Sequence, residues 1–107
     1  MNVAIFKIYP APGQAPAVLD VLESMKTVLA SAGDCLECTV ALETGEEGGI
    51  IYTERWQSRE SLMAHLRSHI FLRILEAMEY SRSAPKVMFF EVTDIGGMDL
   101  IEMARSV

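Results

Sequence analysis

The stretch from Ile50 to Phe71 sets the strongest limit on what this chain can become, because its side-chain period changes within two residues. Up to Trp56 it alternates, with Ile50, Tyr52, Glu54 and Trp56 on one face and Ile51, Thr53 and Arg55 on the other, as an extended strand requires. From Arg59 it follows helical spacing instead: Leu62, Leu66, Ile70, Ile74 and Met78 recur every fourth residue, with Phe71 and Leu75 beside them. Between the two, Ser58 is placed to accept from a free N–H of the first helical turn, and Glu60 sets a carboxylate at the positive end of the helix dipole. The only tryptophan of the chain therefore falls on the last residue of a strand, beside a helix start, where it can wall a pocket.

The flanking segments supply the other elements. Asn2 to Tyr9 reads as a strand with Ala4, Phe6 and Ile8 on one face and Val3, Ile5 and Tyr9 on the other, so both faces call for cover. Pro10, Pro12 and Gly13 break it, and a helix follows from about Pro16, with Val18, Leu19, Leu22, Met25, Val28 and Leu29 on its apolar stripe. That helix should end near Ala32–Gly33, with the glycine in the left-handed conformation of a helix C-terminus. Leu36 to Glu43 alternates as a second strand and forms a hairpin with Ile50–Trp56 through the polar loop Thr44–Gly49. This loop is no phosphate cradle, because Glu46 and Glu47 would repel the anion and no helix start follows the glycines.

The second helical region runs from Arg59 to about Tyr80, with a kink expected near Ser68–His69, and Pro85 closes it. Lys86 to Thr93 is the last strand, with Met88, Phe90 and Val92 on one face and Val87 and Phe89 on the other. Beyond Gly96–Gly97, Asp99 and Glu102 have the spacing of a capping box for a short terminal helix through Ala104. The order β-α-β-β-α-β plus a terminal helix predicts a ferredoxin-like α+β fold, an antiparallel four-stranded sheet with its helices on one face. One layer of helices leaves the other sheet face open, and the apolar residues there predict a homodimer.

With 107 residues, residues 1–107 form a single domain, since a second core would lack the chain to bury itself. The longest apolar runs are too short to span a membrane, and the first residues have neither the basic region nor the apolar core of a signal peptide, so a cytoplasmic protein is expected. A net charge of −6 and scattered arginines argue against nucleic acid and anionic membranes as partners. Cys35 and Cys38 form a C-x-x-C, but in a regular strand residues three apart point to opposite faces, which predicts buried, inert thiols rather than a redox pair. A zinc site would need a second pair of ligands.

The run Glu54-Arg-Trp56-Gln-Ser58, followed by Glu60-Ser-Leu62-Met-Ala64-His65-Leu66 and a helix leading into a final strand, resembles the antibiotic biosynthesis monooxygenase (ABM) domain of the dimeric α/β-barrel superfamily, closest to its quinol-oxidising branch. The resemblance extends to the Pro-Gly before the first helix and to Cys35 near the start of the second strand. It implies a dimer packed sheet to sheet, and oxidation of a quinol-like or polycyclic aromatic substrate by molecular oxygen with no cofactor. It also implies a pocket between sheet and helices, with Trp56, His65 and Tyr52 as catalytic side chains and Leu62, Leu66, Phe71 and Phe6 lining the substrate. Imidazole titrates near neutral pH, so His65 can serve as the base.

Some positions depart from the family pattern. The aromatic-polyketide members carry an Asn four residues before the Trp and a Tyr six residues after it, where this chain has Tyr52 and Leu62. The heme-degrading members carry a ligating His where this chain has Leu75, so neither heme nor a metal is expected. The alternative function is a non-catalytic dimeric domain that binds a small apolar ligand. More ordinary roles stand beside each assignment: Trp56 as a packing anchor, Tyr52 as a sheet stabiliser, His65 as a helix-edge residue bonded to backbone, and His65 with His69 as a metal-like i, i+4 spacing that lacks a third ligand. Arg55 and Arg59 are expected to be solvated or paired with Glu54 and Glu60. Glu91 is the carboxylate expected to be partly buried, with Lys7 or Arg55 as its partner.

Overall fold

The structure is a computed structural model of the chain and describes residues 1–45 and 48–106. Its elements are β1 (Asn2–Ile8), α1 (Ala15–Ala30), β2 (Cys35–Leu42), β3 (Ile50–Trp56), α2 (Arg59–Leu66), α3 (Phe71–Met78), β4 (Lys86–Glu91) and α4 (Met98–Arg105). The strands form one antiparallel sheet in the order β2-β3-β1-β4, with Phe6 opposite Tyr52 on one side and Val87 on the other. This is the ferredoxin-like α+β arrangement. Glu46 and Glu47, on which the argument against a phosphate cradle turned, lie outside the described residues.

Alternation decides which way each strand residue points. Ala4, Phe6 and Ile8 of β1 and Ile50, Tyr52, Glu54 and Trp56 of β3 face the helices and are buried, and Val18, Leu22, Met25 and Leu29 of α1 close over them. Phe6 lies at the centre, with ring centroids 5.8 Å from Tyr52, 5.9 Å from Phe71 and 6.0 Å from Phe89. The opposite sheet face keeps Val3, Ile5, Ile51 and Met88 only partly covered and Phe90 exposed. Tyr9 does not join that face. It follows the end of β1, is buried by its own chain and sits against Gly49, whose missing side chain leaves room for the ring.

The corner after β3 is held by a double cap. Ser58 Oγ accepts from the Ser61 backbone N–H at 3.1 Å, and the Ser58 N–H donates to Ser61 Oγ at 3.2 Å. Ser58→Ala should therefore cost about 1 kcal/mol, read as a lower urea midpoint. The helical region then breaks where the sequence places a kink: the Ser68 hydroxyl donates to the His65 carbonyl at 2.7 Å and accepts from the Phe71 N–H, ending α2 and starting α3. His65 and His69 thus do not share a helix, and no group of three metal-ligating side chains occurs among the described residues.

Several expectations are corrected. α1 ends at Ala30, capped by Ser31, whose hydroxyl donates to the Val28 carbonyl, and Gly33 is not left-handed. The start of α4 has no capping box; Asp99, in the first turn of the helix, instead accepts from the N–H of Gly97 just before it. Glu91 is exposed, because it sits at the end of an edge strand. Its supposed partners are engaged elsewhere, Lys7 with Glu43 at 2.6 Å and Arg55 with Glu37 at 2.9 Å. The thiols are corrected as well. The register shifts between Cys35 and Glu37, so the bulge takes up Leu36 and leaves Cys35 opposite Trp56 and Cys38 opposite Glu54. Both thiols therefore face the helices, and both are free.

Candidate active site

Glu54 is fully buried, with three side chains converging on its carboxylate. The Tyr52 hydroxyl donates to Oε2 at 2.5 Å, the Trp56 indole N–H donates to Oε1 at 2.9 Å, and His65 Nε2 lies 3.0 Å from Oε2. Two of these partners sit two residues away on the same face of β3, and the third is brought in by the second turn of α2. A buried charge is tolerable only when its lone pairs are filled, and here no buried side-chain nitrogen or oxygen among the described residues lacks a partner. The structure thus gathers Tyr52, Trp56 and His65 around a residue that the sequence reading left in a surface pair with arginine. The missed signal was present: a carboxylate between two aromatic residues on the core face of a strand has to be satisfied by them or by what packs above.

The His65 ring is fixed on three sides. Trp56 stacks on it at 4.7 Å between centroids, Phe71 meets it edge-on at 5.4 Å, and Glu54 holds Nε2. Of the two ring nitrogens it is Nε2 that the Glu54 carboxyl group engages. The ring is almost wholly enclosed, with 4% of the side chain left open. His65 and Trp56 form part of the wall of an open groove of about 320 Å³, together with Leu29, Ala64, Ser68 and Ile70. An imidazole thus borders an apolar groove, with an indole beside it and a buried carboxyl group behind it.

The remaining candidates take other places. Tyr52 is fully buried below Glu54 and accepts from the Cys38 thiol at 3.3 Å. Phe6 and Phe71 belong to the core that backs the site. Leu62 and Leu66 line a second cavity of about 300 Å³ on the β4 side of α2, with Met63, Phe89 and Phe90. The structure therefore divides the single expected pocket into two, one on each side of α2.

Burial pushes the Cys38 thiol up to about 11, with the nearby Glu54 charge acting in the same direction and the Tyr52 hydrogen bond against it. Burial and the Glu54 charge also push Tyr52 well up. The folded protein thus keeps both groups protonated, whereas the unfolded chain ionises them near their ordinary values of 9.0 and 10.0. Their contribution to stability is complete below pH 9 and falls as pH rises through 9 to 11, so the urea midpoint should decline across that range. Alkylation of Cys38 at pH 8 should be about ten-fold or more slower than that of a free thiol, because so little thiolate is present.

Sheet order, helix layer and crossover pattern define a ferredoxin-like domain with a polar cluster held inside an aromatic shell. Residues 1–77 match the antibiotic biosynthesis monooxygenase model, and the chain belongs to that family. Similar solved structures include a protein from Deinococcus radiodurans provisionally described as an antibiotic biosynthesis monooxygenase, with a TM-score of 0.79 and 15% identity over 91% of this chain and 97% of that one. Rv0793 from Mycobacterium tuberculosis superposes with a TM-score of 0.76 and 22% identity, over 91% of this chain and 100% of that one. At such identities the likeness is one of fold. No curated protein matches the sequence significantly.

Proposed function

We propose that the chain is a cofactor-independent monooxygenase that oxidises a quinol-like or polycyclic aromatic substrate with molecular oxygen. The observation that carries this reading is the Glu54–His65 pair, set beside Trp56 in the wall of the groove. A hydroxylated ring laid in the groove gives its acidic proton to Nδ1. The imidazolium formed is stabilised through Nε2 by the Glu54 carboxylate, which is already desolvated and fixed. The substrate anion is electron-rich enough to reduce oxygen itself. For an anthrone the balance is one CH2 and one O2 to one C=O and one water; for a quinol it is one quinol and one O2 to one hydroxyquinone and one water. The substrate supplies all the electrons, so no external reductant enters. Leu62, Phe71 and Phe6 back the histidine and keep water from its inner side.

The protein acts as a homodimer paired through its open sheet face, and its two free thiols suit a reducing cytoplasm. Oxygen uptake with a panel of reduced quinones and anthrones, corrected for autoxidation, tests the reading. A rate above background that falls in His65→Ala supports it. No rate with any member of the panel, from folded protein, overturns it in favour of ligand binding without turnover, the reading favoured by the complete burial of Tyr52.

A further inference from the structure

The C-x-x-C of β2 has no part in the chemistry proposed above, yet the bulge gives it a geometry that a regular strand would not. Cys35 lies opposite Trp56 and Cys38 opposite Glu54, and those two residues are same-face neighbours on β3. The three steps of β2 from Cys35 to Cys38 are thus fitted into the length of two, about 6.6 Å at roughly 3.3 Å per residue. Cα atoms joined by a disulfide lie about 4.4–6.8 Å apart, so the pair is within reach of one bond. The Cys35 thiol also leans the right way, because it donates to the Glu37 carbonyl at 3.6 Å, along the strand toward Cys38.

Both thiols are half-buried against the core and open onto one groove of about 290 Å³, walled on its other side by Lys26, Leu29 and Ala30 of α1. This groove lies on the helix side of the sheet, so pairing through the open face leaves it accessible. No third metal-ligating side chain stands with the thiols among the described residues. The arrangement is that of a dithiol beside an open groove, placed to exchange with a disulfide that enters it.

We propose that Cys35 and Cys38 are a dithiol–disulfide site, oxidised to an intrachain bond by a low-molecular-weight disulfide such as glutathione disulfide. The Cys35 thiolate attacks one sulfur of the small disulfide and expels a first glutathione thiolate. The Cys38 thiolate then attacks the Cys35 sulfur of the mixed disulfide and expels the second. Two electrons pass to the small disulfide, and the two protons that leave the cysteines are taken up by the departing thiolates. Cys35 goes first because Cys38 is the more strongly shifted thiol, pushed up to about 11 by burial. Burial raises Cys35 too, so the exchange is slow. Its end point is not moved, since the reduced pair is protonated at neutral pH in any case. The site therefore marks sustained oxidation rather than a passing pulse. Oxidation also reaches the buried cluster: the S–H that Cys38 donates to the Tyr52 hydroxyl is lost, and Tyr52 in turn donates to Glu54.

The test incubates the full chain with excess glutathione disulfide at about pH 8, where some thiolate is present, for long enough that a denatured control oxidises fully. The product is read by intact mass, by peptide mapping and by the emission of Trp56, the only tryptophan. The expected result is a chain two hydrogens lighter, with no free thiol, a linked Cys35–Cys38 peptide and dimmer emission. The dimming follows because a disulfide directly across the strand pair from an indole quenches it by accepting an electron. Dithiothreitol should reverse all of these changes, and Cys38→Ser should stop at a chain carrying one glutathione. A native chain that ends with glutathione still attached, two chains joined through their cysteines, or two thiols still free when the denatured control is oxidised overturns the proposal. None of these readouts depends on turnover, so the result stands whether or not oxygen uptake is found.

Discussion

Glu54→Gln should lower the rate of oxygen uptake about 100-fold, the scale on which a positioned base contributes. The reason lies in what each neighbour can do. The Trp56 indole can only donate, so the glutamine must keep its carbonyl oxygen at the Oε1 position and turn its NH2 toward Tyr52 and His65. His65 then accepts at Nε2, and the ring proton moves to Nδ1, the nitrogen proposed to take the substrate proton. The base is switched off by its tautomer while the ring stays in place. Loss of the charged acceptor should also destabilise the fold by about 2 kcal/mol, seen as a lower urea midpoint. A folded Glu54→Gln protein with full activity would show that His65 does not act through this carboxylate.

Trp56→Ala should have the largest effect on stability, about 3–5 kcal/mol, because it removes a large buried ring at a strand end where neighbours collapse poorly. Two further losses accompany the cavity: Glu54 Oε1 loses its donor, and His65 loses the ring stacked on it. Trp56→Phe separates these effects. It keeps an aromatic surface but not the N–H, and should cost about 1–3 kcal/mol, the penalty of an unfilled buried acceptor. Urea titration followed by circular dichroism measures both, since neither variant retains the tryptophan signal. If Trp56→Phe proved as damaging as Trp56→Ala, the hydrogen bond rather than the packing would dominate at this corner.

What could be read in the sequence was whatever depends on period. Alternation in Ile50–Trp56 put Tyr52, Glu54 and Trp56 on one face, whereas spacing left His65 at a helix edge and only the family resemblance joined it to Tyr52 and Trp56. Convergence of those residues on one carboxylate was not legible, because it depends on how high α2 sits over the sheet. The bulge at Leu36 was hidden for a related reason: one extra residue inverts the facing of everything before it, yet leaves the composition of the strand unchanged. Glu91 misled because it lies among apolar residues, but it ends an edge strand that water reaches. The separation of the two cavities by α2 likewise follows from packing that spacing does not encode.

The partners of Glu54 lie at sequence separations of two, two and eleven. The cluster is therefore a cassette, written into one short stretch of chain rather than assembled from distant parts. Closing so small a loop costs little entropy, so the carboxylate can find its donors before the long-range strand pairs are complete. The same locality would make the segment portable. Insertions or truncations in β2, β4 or the C-terminal arm can alter what surrounds the groove while the strand-to-helix corner carries its chemistry through unchanged.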